Sequence, residues 1–236
     1  MAKKHPRIEP LGDQALLIRW ADSADVAINR QVHAFARQLH RAALPWLLDC
    51  VPAYASLAIF FDAASLPSGE PESVVREQIA AMLSQAESSS DTSVARSVEI
   101  PVCYGGAHGP DLEDVARERG LTAAQVIERH SKAEYLVAML GFAPGFPYLL
   151  GLDPALESRR LATPRLHVPA GSVGIGGVQT GIYPNEGPGG WRLIGQTPLP
   201  LFDAERDPPT CLLPGDRLRF VPIDPERFQA LAKHAQ

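Results

Sequence analysis

From Val168 to Trp191 the chain reads VPAGSVGIGGVQTGIYPNEGPGGW, eight glycines in twenty-four residues interleaved with Pro, Tyr and Trp. Nothing after it looks helical, and the whole region from 142 onward is short apolar runs punctuated by Gly and Pro, such as WRLIGQTPLPLF and DRLRFVPI. That texture predicts a compact β-barrel. A glycine cluster also suggests a phosphate cradle, and spacing decides against one. A Walker A loop needs Lys directly after the second glycine of G-x-x-x-x-G, but Gly177 follows Gly171 and Gly176, and Ile182 follows Gly176 and Gly181. A dinucleotide fingerprint begun at Gly174 and Gly176 meets Gln179 where its third glycine belongs. Two uses remain for these glycines: turning tight barrel corners, or bringing backbone N–H groups close to an anionic oxygen.

Upstream the texture differs. DQALLIRW (13–20) reads as a strand, and Val26, Ile28, Val32, Phe35 and Leu39 follow near helical spacing. WLLDCVPAYASLAIFFD splits at Pro52 into two β-like runs, and PESVVREQIAAMLSQAE is a second amphipathic helix with Val74, Ile79, Met82 and Leu83 inward. Strand, helix, two strands and helix make a small α/β sandwich. SSSDTS at 88–93, polar throughout, is the best linker. The expected class is therefore α+β, with an N-terminal α/β domain over 1–93 and a barrel domain over 94–236. The second domain opens with the strand SVEIPVCY, then two short helices in GPDLEDVARERG and LTAAQVIERHSKA, the latter with a capping box from Thr122 to Gln125.

Composition narrows the function class. The 236 residues are 45% hydrophobic, enough for a buried core, and carry a formal charge of -5, which leaves no basic footprint for nucleic acid or an anionic membrane. MAKKHPRIEP lacks an apolar region after its lysines, and no run approaches the length of a membrane span, so a cytoplasmic location is expected. Cys50, Cys103 and Cys211 are odd in number and widely spaced, which suggests neither a disulfide framework nor a zinc site.

A series of motifs in order, IPVCYGGAHGPDLEDVA, GLTAAQVIERHS, EYLVAMLGFAPGFPYLLGLD, TPRLHVPAGSVGIGGVQTGIYPNEGPGGWRLIGQTPLPLFD and PPTCLLPGDRLRFVPI, resembles the family of the bacterial 5-oxoprolinase B subunits. The family is also described as allophanate hydrolase subunit 1 and as KipI. The resemblance is close over roughly 98–223 and looser over the first domain. It implies a small N-terminal α/β domain and a C-terminal cyclophilin-like β-barrel. It also implies an ATP-dependent opening of 5-oxo-L-proline to L-glutamate together with subunits A and C. Since the chain shows no nucleotide loop, ATP is expected on a partner or shared with it, and the chain alone is expected to be inactive. No metal is implied. The resemblance leaves a second class open, a binding module that inhibits a histidine kinase, and beside it a subunit acting on allophanate or urea amides or in carboxyl transfer. The sequence departs from the family where Gly176 stands for the usual Ala, Gly187 for Ser, and Ala107 and His108 for an acidic residue and Phe.

Individual residues carry parallel readings. His130, after a helix, suits a general base or a carboxylate binder, and equally a helix-end cap. Gln179, Thr180 and Tyr183 are able to donate to a carboxylate or carbonyl, or simply to tie down the turn. Arg192 beside Trp191 suits a carboxylate clamp, or equally an exposed arginine whose guanidinium stacks on an aromatic ring, Arg165 carries a similar expectation, and His167 has no metal-like spacing. Cys103, ending an apolar strand, reads as core rather than nucleophile. The expected catalytic set is His130, Tyr183 and Arg192, and the expected substrate-binding set Gly176, Gly177, Gln179, Thr180, Trp191 and Arg165. GFAPGFPYLLGL at 141–152 is expected to line a pocket or meet a partner, against the alternative of a loop folded over the barrel.

Overall fold

A computed structural model describes residues 6–67, 69–86 and 96–234. The expected linker at 88–93 lies outside the described residues. The chain divides into two compact units, Met1–Val94 and Ala95–Gln236.

The first unit contains β1 (Arg7–Pro10), β2 (Ala15–Arg19), α1 (Val26–Ala42), β3 (Leu47–Pro52), β4 (Ser56–Phe61) and α2 (Pro71–Ala86). Its antiparallel sheet has the order β1-β2-β4-β3. Leu16, Ile18, Leu57, Ile59 and Phe61 share a core with Val32, Phe35 and Leu39 of α1 and Val75 and Ile79 of α2. Asp25 caps α1 by accepting from the Ala27 and Ile28 N–H groups. Two details differ from the sequence reading. β1 is a strand despite its sequence RIEP, because Ile8 lies opposite Ile18 in register and extends the apolar face. In α2 the fully buried valine is Val75, not Val74: positions 75, 79, 82 and 83 fall on one helical face, and 74 is turned by about a quarter of the circumference.

The second unit contains β5 (Ser97–Tyr104), α3 (Leu112–Arg119), α4 (Ala123–Lys132), β6 (Tyr135–Leu140), β7 (Pro147–Leu150), β8 (Arg165–Val168), β9 (Ser172–Gly176), β10 (Gln179–Ile182), β11 (Gly187–Gly189), β12 (Arg192–Gln196), β13 (Arg217–Ile223) and α5 (Pro225–His234). Seven strands close into a barrel in the order β10-β7-β6-β13-β5-β12-β9, with β9 pairing back onto β10. All pairs are antiparallel except β13 with β5, in register from Arg217 opposite Ser97 to Ile223 opposite Cys103. Closure removes the exposed edges an open sheet would leave. The expected capping box at Thr122 and Gln125 is present, with reciprocal bonds of 2.9 and 3.2 Å. Val115 of α3 and Val126 of α4 share the barrel core with Ile100, Val137, Ile175, Ile194 and Phe220. β8 and β11 form a separate two-stranded ribbon.

Candidate functional site

The glycine-rich stretch forms β9, the β9–β10 hairpin, β10 and β11, and it encloses aromatic rings. Tyr183 and Trp191 are buried together with Phe146, Val168 and Leu193, and Ala143 and Tyr148 pack against them. Ring centroids lie 5.3 Å apart for Phe146 and Tyr183, 5.6 Å for Phe146 and Trp191, and 6.4 Å for Tyr183 and Trp191, each edge to face. The glycines make room for those rings. A Cβ added at Gly176 would sit 2.5 Å from the Trp191 indole, and one at Gly189 would sit 2.5 Å from the Tyr183 hydroxyl. Two of the backbone donors in this stretch are engaged elsewhere: the Gly177 N–H donates to the Ser158 carbonyl at 2.7 Å and the Gly171 N–H to the Tyr183 carbonyl at 2.7 Å. Close approach, rather than presentation of N–H groups, is the use of these glycines that the geometry supports.

The loop joining β6 to β7 borders the cluster. Gly141, Ala143 and Phe146 tie it together through the bonds Gly141 N–H to Phe146 O at 3.1 Å, Ala143 N–H to Gly141 O at 2.8 Å and Phe146 N–H to Ala143 O at 3.0 Å. This ring of bonds holds Phe142 in the left-handed region, at φ 66°, a conformation that costs a non-glycine residue about 1 kcal/mol or more. Phe142 is 68% exposed, yet it meets Phe146 at 5.4 Å and Tyr183 at 6.4 Å. A depression of about 350 Å³ is lined by Leu140, Gly141, Phe142, Ala143, Pro144 and Gly145. Phe146 is thus core and Phe142 is surface, so the stretch is both a barrel cover and an exposed aromatic edge.

Three arginines surround the rings and differ in their partners. Arg165 donates twice to the buried carboxylate of Asp111, at 2.7 and 2.9 Å. Asp111 also accepts the Leu193 N–H at 2.7 Å. Arg192 donates to Glu118 at 2.7 Å and to the Arg159 carbonyl at 3.3 Å. Both guanidinium charges are therefore neutralised within the barrel unit. Arg160 instead lies over the Trp191 ring, 5.8 Å from its centroid. Burial raises the Tyr183 pKa, opposed by a hydrogen bond from the Trp191 backbone and by the charges of Arg160 and Arg165.

His130 and Thr180 lie elsewhere, in the barrel core, both with no exposed surface. The Thr180 hydroxyl donates to the Gly174 carbonyl at 2.9 Å, so at 3.0 Å it must accept from His130 Nε2. His130 Nδ1 is then the acceptor for the Tyr104 hydroxyl at 2.8 Å. The imidazole is a neutral Nε2–H tautomer, and burial pushes its pKa down to about 3. It also stacks on Phe220 with centroids 4.5 Å apart. This is the environment of a core histidine, enclosed on all sides.

The expected site residues thus fall into three groups. Gly176, Tyr183 and Trp191 meet in the aromatic cluster, with Gly177 and Gln179 at the neighbouring hairpin, where Gln179 pairs with Gly176. Arg165 and Arg192 brace it through Asp111 and Glu118. His130 and Thr180 are in the core. Cys103 is buried, and burial raises its pKa, so it carries a thiol rather than a thiolate. Two residues of the site carry no clear mark in the sequence. Asp111, placed just before α3, looks like an ordinary cap, and Arg160 is signalled only by the pair Arg159 and Arg160 ahead of TPRLH.

The glycine-containing turn between β5 and α3 is closed largely by its own bonds. The N–H groups of Gly105, His108, Gly109 and Leu112 donate to the Ile194, Gly105, Gly105 and Gly109 carbonyls at 2.9–3.1 Å, and the Asp111 carboxylate stands at the start of the helix. Among the described residues no three His, Cys, Asp or Glu side chains gather to hold a metal ion, and no helix is long and apolar enough to cross a membrane.

Residues 6–213 match the carboxyltransferase domain, subdomain C and D. The chain is 45% identical over 231 residues to the 5-oxoprolinase B subunit of Bacillus subtilis (strain 168), covering 95% of each chain. It is 43% identical to the 5-oxoprolinase B subunit of Escherichia coli O157:H7, covering 90% of this chain and 94% of the other. The crystal structure of TTHA0988 superposes with a TM-score of 0.75 at 40% identity, covering 89% of this chain and 40% of that one. The chain therefore spans less than half the length of that solved relative.

Proposed function

The chain belongs to the carboxyltransferase-domain, subdomain C and D family that includes the 5-oxoprolinase B subunits, and on that premise we propose that it is the B subunit of an ATP-dependent 5-oxoprolinase. The observation that carries this reading is the match over 95% of both chains, at 45% identity, to a protein of that name. The assembly opens the lactam of 5-oxo-L-proline to L-glutamate in the cytoplasm, and this chain acts only with subunits A and C.

The geometry supports a binding rather than a bond-breaking share. The exposed edge of the cluster, Phe142 against Phe146 and Tyr183, offers apolar walls and water exclusion to a small ring. Arg165 and Arg192 hold that wall in place through Asp111 and Glu118. His130 and Thr180 support the barrel from inside. The sequence carries no nucleotide-loop motif, which favours ATP held by a partner or shared with one.

Glutamate formation from 5-oxo-L-proline and ATP, measured with subunits A, B and C together and with each omitted in turn, tests the reading. Turnover is expected only in the full mixture. Robust turnover by this chain alone, or none by the full mixture, would overturn it.

A further inference from the structure

The barrel unit places three arginines around one aromatic cluster, and their surroundings differ in charge. Asp111 meets Arg165 in a two-pronged pair, 2.7 and 2.9 Å long. Glu118 takes Arg192 at 2.7 Å. Arg160 is exposed and, among the described residues, has no carboxylate within ion-pairing distance; it meets the face of Trp191 at 5.8 Å. A guanidinium held over an indole face by the ring's π-electrons, with no carboxylate partner, keeps its N–H groups available to meet a planar anion two at a time. The indole is itself fixed from behind, because it packs directly against Gly176. The cation therefore faces a fixed ring. The Arg160 charge also reaches the Tyr183 hydroxyl.

We infer that Arg160 is the carboxylate-binding residue of this site: its guanidinium, placed over the Trp191 ring, takes the carboxylate of a small cyclic amide whose ring lies along the Phe142 and Tyr183 edge. The inference rests on the 5-oxoprolinase reading for the identity of the ring. It replaces the expectation that Arg192 clamps the carboxylate, since Arg192 is already paired. It also explains how one chain can offer a net positive point beside an apolar wall while carrying an overall negative charge.

The test uses the assembled A, B and C subunits carrying Arg160→Gln in this chain. The KM for 5-oxo-L-proline is expected to rise roughly 10–100-fold, the range for losing a hydrogen-bonded charge pair, with kcat within about threefold of wild type. Thermal stability is expected to be unchanged, because Arg160 is a surface side chain. Competition by 2-pyrrolidinone, the same lactam without a carboxylate, is expected to be equal in the two assemblies. An unchanged KM in Arg160→Gln, or an equal loss of affinity for 2-pyrrolidinone, would overturn the inference while leaving the 5-oxoprolinase reading intact. A wild-type assembly that neither binds nor turns over 5-oxo-L-proline would overturn that reading instead.

Discussion

Replacing His130 by alanine is expected to destabilise the barrel unit by about 3–5 kcal/mol, the sum of a large core cavity and two hydroxyls left without their partner. His130 is fully buried, stacks on Phe220, accepts from Tyr104 and donates to Thr180. The thermal midpoint of the unit is expected to fall by roughly 10–20 °C, read by calorimetry on the full chain. A catalytic His130 would give the opposite pattern, with unchanged stability and lost turnover. The same group makes stability depend on pH. Its pKa falls from the ordinary value of 6.5 when unfolded to about 3 when folded, so the unfolded chain takes up a proton first as pH drops. Its full contribution is present above pH 6.5 and is lost as pH falls from there towards 3, at about 1.4 kcal/mol per pH unit. Between pH 6.5 and about pH 5 the wild-type chain is expected to lose about 2 kcal/mol from this group, a loss that His130→Leu removes. Denaturant titrations at the two pH values measure the difference.

Replacing Asp111 by alanine is the second large effect. Asp111 is 4% exposed, and its carboxylate meets Arg165 twice and accepts the Leu193 N–H. Removing it leaves a half-buried guanidinium and a buried amide without acceptors, at a cost of about 3–5 kcal/mol for a broken buried pair. Arg165 is 30% exposed on its side chain, so the lower end of that range is expected. Arg165→Met combined with Asp111→Leu is expected to recover part of the loss, because an apolar pair leaves fewer groups unsatisfied. Equal denaturation midpoints for wild type and Asp111→Ala would show that the pair contributes nothing to the barrel.

Much of the fold can be read along the chain because its signals are local. The α4 capping box, the helical spacing of α1 and the parting of β3 from β4 at Pro52 all need only a few consecutive residues. β1 escapes such a reading because a four-residue strand with one apolar position, Ile8, acquires its meaning only opposite Ile18. The site is less legible for the same reason at longer range. Arg165 lies 54 residues from Asp111, and Arg192 lies 74 residues from Glu118, so neither neutralisation leaves a mark in the local sequence. Arg192 looks available because Trp191 is its neighbour, whereas the arginine that covers that indole is Arg160. The glycines at 176 and 189 are conspicuous in the sequence. Their purpose is hidden there, since the rings they accommodate arrive from just before β12 and from the end of β10.

The placement of substrate at the exposed edge of this aromatic cluster is tested most directly by kcat/KM for 5-oxo-L-proline in the assembly carrying Phe142→Ala. Phe142 is a surface residue, so the size of the assembly and its thermal midpoint should match wild type. The expected result is a fall of roughly tenfold or more, as for loss of a buried aromatic contact of about 1.4 kcal/mol or more. An unchanged kcat/KM in an intact assembly would contradict the placement and move the lactam away from this face of the barrel.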